Sequence, residues 1–217
     1  MEVNQALSTK QQSMIPIAAF TASGDLDKLK IALQEGLAAG LTVNEIKEIL
    51  VHLYAYAGFP RSLNGINTFM ALLNERQVQG IEDEIGPEAS PLSSDMDKGE
   101  YGARVRARLA GQETIPPASG YQLFTPIIDT FLKEHLFADI FARDTLDFQS
   151  RELVTVSALA SMAGTGGQLY FHLGAAINTG LNEDQMHSFI SVFEAKVGKQ
   201  EAENVSELLA KVLSNKA

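Results

Sequence analysis

The chain contains no cysteine. Disulfides, thiolate metal sites, iron–sulfur clusters and cysteine nucleophiles are therefore excluded. No apolar run approaches the roughly 20 residues that cross a bilayer, so no membrane partner is expected. Met1 to Ser13 is polar and has no signal-peptide core, which points to a cytoplasmic protein. Positive charge is scarce: 17 Lys and Arg stand against 27 Asp and Glu, a formal net charge of −10. Sequence-independent nucleic-acid binding needs cations that displace phosphate counterions, so no nucleic acid is expected as a partner. The acidic excess otherwise serves solubility. Metal-ligand spacing is missing too. Glu134 and His135 are neighbours that point apart on a helix, and His187 has no evident companion. The Gly164-Thr165-Gly166-Gly167 run lacks the lysine and strand of a phosphate loop and reads as an interhelical turn. No serine sits in a nucleophile elbow.

What is present is dense helical punctuation. Ser23-Gly24-Asp25 is a turn and N-cap cluster. Leu26, Leu29, Leu33 and Leu37 follow at helical spacing, and Gly40 closes that helix. Thr42 and Glu45 form a capping box for the next one. Its apolar face is Ile46, Ile49, Leu50, Leu53 and Ala57, and Gly58-Phe59-Pro60 ends it before Ser62 to Leu73 restarts. One shift of 140 positions repeats the pattern without a gap. It sets Gly24 on Gly164, Leu33 on Leu173, Gly40-Leu41 on Gly180-Leu181, and Gly58 on Gly198. Matching helix-ending glycines favour duplication over chance. The reading is all-α: a first repeat over 1–74, a Gly/Pro-rich connector over 75–120 with one helix at 101–109, and a second repeat over 121–217. Helical periodicity covers Tyr121 to Phe141 and Gln149 to Met162, with a turn between.

Glu48, His52 and Tyr56 are spaced i, i+4, i+8 and form one polar row beside the apolar face. A carboxylate, an imidazole and a phenol in a row can do acid–base work. The plainer alternative is a half-exposed helix face with an inconsequential Glu–His pair. His172 flanks Leu169 and Leu173 and is either a satisfied core histidine or a general acid or base. Arg61 and Arg151 can each clamp a carboxylate; Arg151 can equally pair with Glu152 or Asp147. Asn64 can cap a helix or line a pocket. Arg104 and Arg108 read as a solvated face.

Gly-Leu-Thr-x-x-Glu-Ile-x-Glu-Ile-Leu at 40–50, then Ala-Tyr-x-Gly-Phe-Pro at 55–60, resembles the carboxymuconolactone decarboxylase family. So do Arg151-Glu152-Leu153-Val154-Thr155-Val156 and His172-Leu173-x-Ala175-Ala176-x-Asn178-x-Gly180-Leu181. The resemblance implies a duplicated alkylhydroperoxidase D-like helical unit and symmetric assembly, here a homotrimer with pseudo-sixfold packing. It implies cofactor-free lyase chemistry on a small carboxylated, lactone-type substrate. The family's peroxidase branch works through a Cys-x-x-Cys pair, which this chain lacks. His172, Glu48 and Tyr56 match family positions and are the catalytic candidates; Arg61, His52, Asn64 and Arg151 are the substrate-binding candidates. The first repeat has Ala32 where the second has His172. The second has Ser188 and Lys196 where the first has Glu48 and Tyr56. One composite pocket drawing on both repeats follows as the expectation, against the alternative of a non-catalytic binding or assembly protein.

Overall fold

A computed structural model describes residues 6–215. Ten α-helices and one π-helix carry the fold, and no strand occurs among the described residues. The first five Met1–Ser13 residues, part of the polar leader, lie outside the described residues. The order is α1 (Thr9–Ser23), α2 (Leu26–Ala38), α3 (Val43–Val78), α4 (Lys98–Leu109), α5 (Tyr121–Phe124) and α6 (Pro126–Thr130). The π-helix (Phe131–Ile140), α7 (Phe148–Ala160), α8 (Gly166–Asn178), α9 (Glu183–Lys196) and α10 (Lys199–Ser214) follow. No described helix is long and apolar enough to cross a membrane.

The centre is α1 against α7. Residues 14–22 of α1 and 150–159 of α7 are buried on every face, and α7 includes buried polar side chains at Arg151, Glu152, Thr155 and Ser157. Each serves two cores. Helix α1 gives Met14, Ile17 and Ala18 to a core with α2 and α3, and Ile15 and Ala19 to a core with α8, α9 and α10. Helix α7 returns Val154 and Ala158 to the first, and Leu153 and Val156 to the second. A third cluster joins α4 and the π-helix through Val105, Leu109, Leu136, Phe137 and Ile140.

Helix boundaries in the two halves coincide under the 140-residue shift. Leu26–Ala38 falls on Gly166–Asn178, and Val43 falls on Glu183. Gly24 and Gly164 share a left-handed φ of 79° and 80°. Helix α3 carries the break expected at Gly58-Phe59-Pro60, and its second stretch restarts ahead of the expected Ser62. Only Gly58 leaves helical geometry, at φ 81° and ψ 161°, and helix resumes at once. Pro60 then sits in a first turn, where its missing N–H costs nothing. A side chain at Gly58 would be strained at that φ.

The connector is more ordered than its composition suggests. Backbone N–H groups of Val43 and Asn44 donate to the carbonyls of Glu84 and Ile85, so the returning chain satisfies the open first turn of α3. Its helix begins at Lys98, three residues before the expected 101. A Cβ on Gly102 would lie 1.8 Å from the Lys133 carbonyl oxygen, so α4 and the π-helix meet backbone to backbone there.

The helical periodicity expected over 121–141 is met by three consecutive helical pieces. Thr125 (φ −136°, ψ 77°) is held out of the helical region by Pro126 behind it. The apolar stripe then has no common face. Phe124 is 90% exposed and Phe131 58%, whereas Leu136 and Ile140 are buried.

Candidate active site

The row Glu48, His52, Tyr56 runs down the first part of α3 and meets α7 edge-on. It is not a half-exposed face. Glu48 and His52 are buried, and the Tyr56 hydroxyl is closed off from solvent although its ring edge is not. Burial follows from α7, which lays Arg151, Glu152 and Thr155 beside that row; all three are fully buried.

Arg151 is the hub. Its Nη2 donates to Glu48 Oε1 at 2.7 Å and to the Arg143 carbonyl at 2.7 Å. Its Nη1 donates to His52 Nδ1 at 3.2 Å. Glu48 also takes Arg143 Nε at 2.9 Å. The expected partners of Arg151 were Glu152 and Asp147. The structure gives it Glu48 instead, because residue 151 faces α3 while Glu152, one position on, turns about 100° toward α8. An arginine only donates, so His52 Nδ1 accepts and its proton sits on Nε2. That nitrogen then donates to Thr155 Oγ1 at 2.8 Å. Burial, then the positive charges of Arg151 and His172, hold the His52 imidazolium well below the ordinary histidine range. His52 is a neutral, fixed hydrogen-bonding bridge.

Glu152 grips His172: Nδ1 lies 2.8 Å from Oε2. The second oxygen, Oε1, has no hydrogen-bond partner among the described residues; nor do the Tyr56 hydroxyl and Arg151 Nε. The Tyr56 and His172 rings meet edge-on with centroids 5.4 Å apart, and Tyr56 lies 5.2 Å from His52. Burial first, then the Glu152 charge, push the Tyr56 phenol far above its usual range; neighbouring Thr155 and Arg151 offset part of this. Tyr56 is therefore a neutral phenol at any physiological pH.

A cavity of about 870 Å³ opens over this floor. Tyr56 from the first half and His172 from the second both line it. Leu132, Leu136 and Phe137 of the π-helix, Arg106 of α4 and Phe171 of α8 supply walls. With Nδ1 taken by Glu152, Nε2 is the His172 nitrogen left for a ligand. Glu48, His52 and Arg151 stand behind the floor and do not line the cavity.

Two candidates lie elsewhere. Arg61 Nη1 donates to the Ser23 carbonyl at 2.6 Å and packs over Gly24, where a Cβ would meet it at 1.3 Å. It closes the end of α1. Asn64 is exposed on the same stretch of α3, with its carbonyl accepting from Thr68. Neither side chain is among the cavity's lining residues. Arg108 lies 4.6 Å over the Phe148 ring, and Arg104 pairs with Glu100.

Sequence reasoning passed over Glu152, Thr155, Arg143 and Arg106. Glu152 and Thr155 were visible inside the second-half motif, where their helical spacing to Arg151 places them. Arg106 belongs to the connector and carried no pattern. Among the described residues no group of three His, Asp or Glu is placed to hold a metal.

The fold and site thus describe an all-helical protein whose main cavity is lined by Tyr56 of α3 and His172 of α8. Residues 1–69 match the family described as Carboxymuconolactone decarboxylase family, which makes this segment carboxymuconolactone decarboxylase-like. The matched segment holds Glu48, His52 and Tyr56; His172 and Arg151 lie beyond it. No curated protein matches the chain.

Proposed function

We propose that this protein is a cofactor-free carboxy-lyase acting on a small carboxylated, lactone-type substrate in the α3–α8 cavity. One observation carries the reading: a histidine anchored by a buried carboxylate, and a neutral tyrosine, come from opposite halves of the chain and line one cavity. Loss of CO2 breaks the carbon–carboxyl bond and leaves its electron pair on the adjacent carbonyl system as an enolate. His172, protonated, returns a proton to that carbon and regains it from solvent. Glu152 holds the ring and offsets its charge. Tyr56 donates to the enolate oxygen after a small turn of the ring frees its hydroxyl. Glu48, His52 and Arg151 fix the floor from behind, so Glu48 acts as a positioning residue.

The proposal extends to a cytoplasmic homotrimer. The exposed apolar side chains Leu123, Phe124, Ile127 and Phe131 support self-association, and light scattering reporting a monomer at micromolar concentration would overturn that part. The absence of cysteine tells against thiol-peroxidase activity.

The test is CO2 release from a panel of lactone acids, with His172→Ala as control. Turnover that His172→Ala abolishes supports the lyase; turnover untouched by His172→Ala refutes this site. Acids that bind without turnover favour a small-molecule-binding protein instead.

A further inference from the structure

The cavity's charge is at odds with the chain around it. The protein carries a net charge of −10, yet none of the residues lining the cavity is Asp or Glu. The charged or chargeable groups on its walls are Arg106 and His172, joined by two tyrosines and three glutamines. Arg106 is built into place. Asp129 of α6 is 6% exposed and accepts Arg106 Nη1 and, at 2.9 Å, Gln122 Nε2 on Oδ1. Its Oδ2 takes Lys133 Nζ at 2.9 Å. A carboxylate held by three donors is a fixed post, and the guanidinium tied to it through Nη1 has further N–H donors to turn elsewhere. Arg106 and Gln122 both line the cavity, and both are oriented by that one carboxylate. Leu132, Leu136, Phe137 and Phe171 give the cavity large apolar side chains as well. At about 870 Å³ the space is near the upper end for a small-molecule site, roughly 300–1,000 Å³.

We propose that Arg106, set by Asp129 and assisted by Gln122, is the carboxylate-binding group of this cavity, and that its ligands are organic monoacids with an extended apolar body lying along the π-helix. The inference rests on the cavity being the functional site and deepens that reading. It replaces Arg61 and Arg151 in the clamping role. A compact diacid fits less well, because its second carboxylate would either be desolvated against leucine and phenylalanine or have to reach His172, the other chargeable group on the walls.

The experiment is calorimetric titration with 4-phenylbutyrate, 4-phenylbutanamide and succinate, none of which needs to be turned over. The acid is expected to bind at least about tenfold tighter than its amide, since a charge-assisted contact is worth at least that factor. Succinate is expected to bind more weakly than the acid. The Arg106→Gln/Asp129→Asn pair removes both charges and leaves no orphaned carboxylate; it is expected to bring acid and amide to equal affinity. Arg106→Lys retains part of the preference. Amide binding equal to acid in the unaltered protein overturns the proposal, whatever the variants do. So does succinate binding as tightly as phenylbutyrate, or an acid preference that survives in the folded double variant. Acid binding that depends on Arg106 without any CO2 release leaves this inference standing and removes the lyase. Decarboxylation of a compact lactone diacid by the double variant does the reverse.

Discussion

Arg151→Met tests the architecture under the site most directly. Arg151 is fully buried and supplies donors to three acceptors: Glu48, His52 and the Arg143 carbonyl. Methionine matches the length of the stem and removes every donor. Glu48, 2% exposed, keeps only Arg143, whose side chain is 41% exposed and therefore screened. Breaking a buried pair from one side costs about 3–5 kcal/mol, because a charge stays buried without its partner. Orphaned neutral acceptors at His52 Nδ1 and the Arg143 carbonyl cost about 1–3 kcal/mol each unless the site relaxes. Relaxation toward Arg143 offsets part of that, so a net loss of about 4 kcal/mol is expected. For a chain of this length that corresponds to about 10 °C in Tm. Glu48→Met/Arg151→Met removes both charges and should recover at least about 1 kcal/mol relative to Arg151→Met alone. Urea denaturation of the three proteins, compared at equal m-value, measures both quantities. A loss under about 1 kcal/mol for Arg151→Met, or no recovery in the double variant, would show that the pair is not the keystone of the α3–α7 contact.

Three further outcomes follow from the same geometry. Tyr56→Phe deletes a buried hydroxyl that has no partner; urea midpoints should hold or rise by about 0.5–1 kcal/mol, while kcat on a turned-over acid drops about 10²-fold. A Tyr56→Phe protein that is clearly less stable would mean the hydroxyl is satisfied in solution. Gly102→Ala presses a methyl onto the Lys133 carbonyl, which is backbone and cannot swing aside; a loss of about 1–3 kcal/mol is expected, measured against Ala103→Gly as a propensity control. Burial holds the His52 pKa well below the ordinary histidine value of 6.5. The unfolded chain therefore takes up a proton below pH 6.5 that the folded chain refuses. Stability is full above that pH and falls by up to about 1.4 kcal/mol per unit below it. His52→Gln should flatten this slope between pH 6.5 and 5, and an unchanged slope would assign it to another group.

Much of the architecture was readable because its signals are local. Gly24, Gly40, Gly164 and Gly180 stop or separate helices through their own backbone freedom, and Thr42 with Glu45 starts one within four residues. The segment 121–141 is helical as its periodicity implied, but periodicity says nothing about a backbone break: Pro126 splits the stripe, and the π-helical stretch changes the angle per residue. Glu48, Tyr56 and His172 were singled out as members of one pocket; Tyr56 and His172 share a cavity wall, and Glu48 is not among its lining residues. Arg61 lies away from the cavity for a physical reason. Its place after Phe59-Pro60 suggested the end of the polar row, but beyond the break at Gly58 its guanidinium reaches the Ser23 carbonyl at the end of α1.

The sequence by itself determined the helical class, the punctuation of both halves, the exclusion of thiol chemistry, and which residue types were candidates for acid–base work. Those properties depend on residue identity and on neighbours within a turn or two. Only the tertiary structure decided that α7 buries Arg151 and Glu152 against α3, and that Glu152 rather than Glu48 holds His172. It alone brought the connector's Arg106 over a floor made by helices far away in the chain. Partners 99 or more residues apart, such as Arg151 and His52, leave no spacing to read, because their meeting is set by which apolar faces pack together.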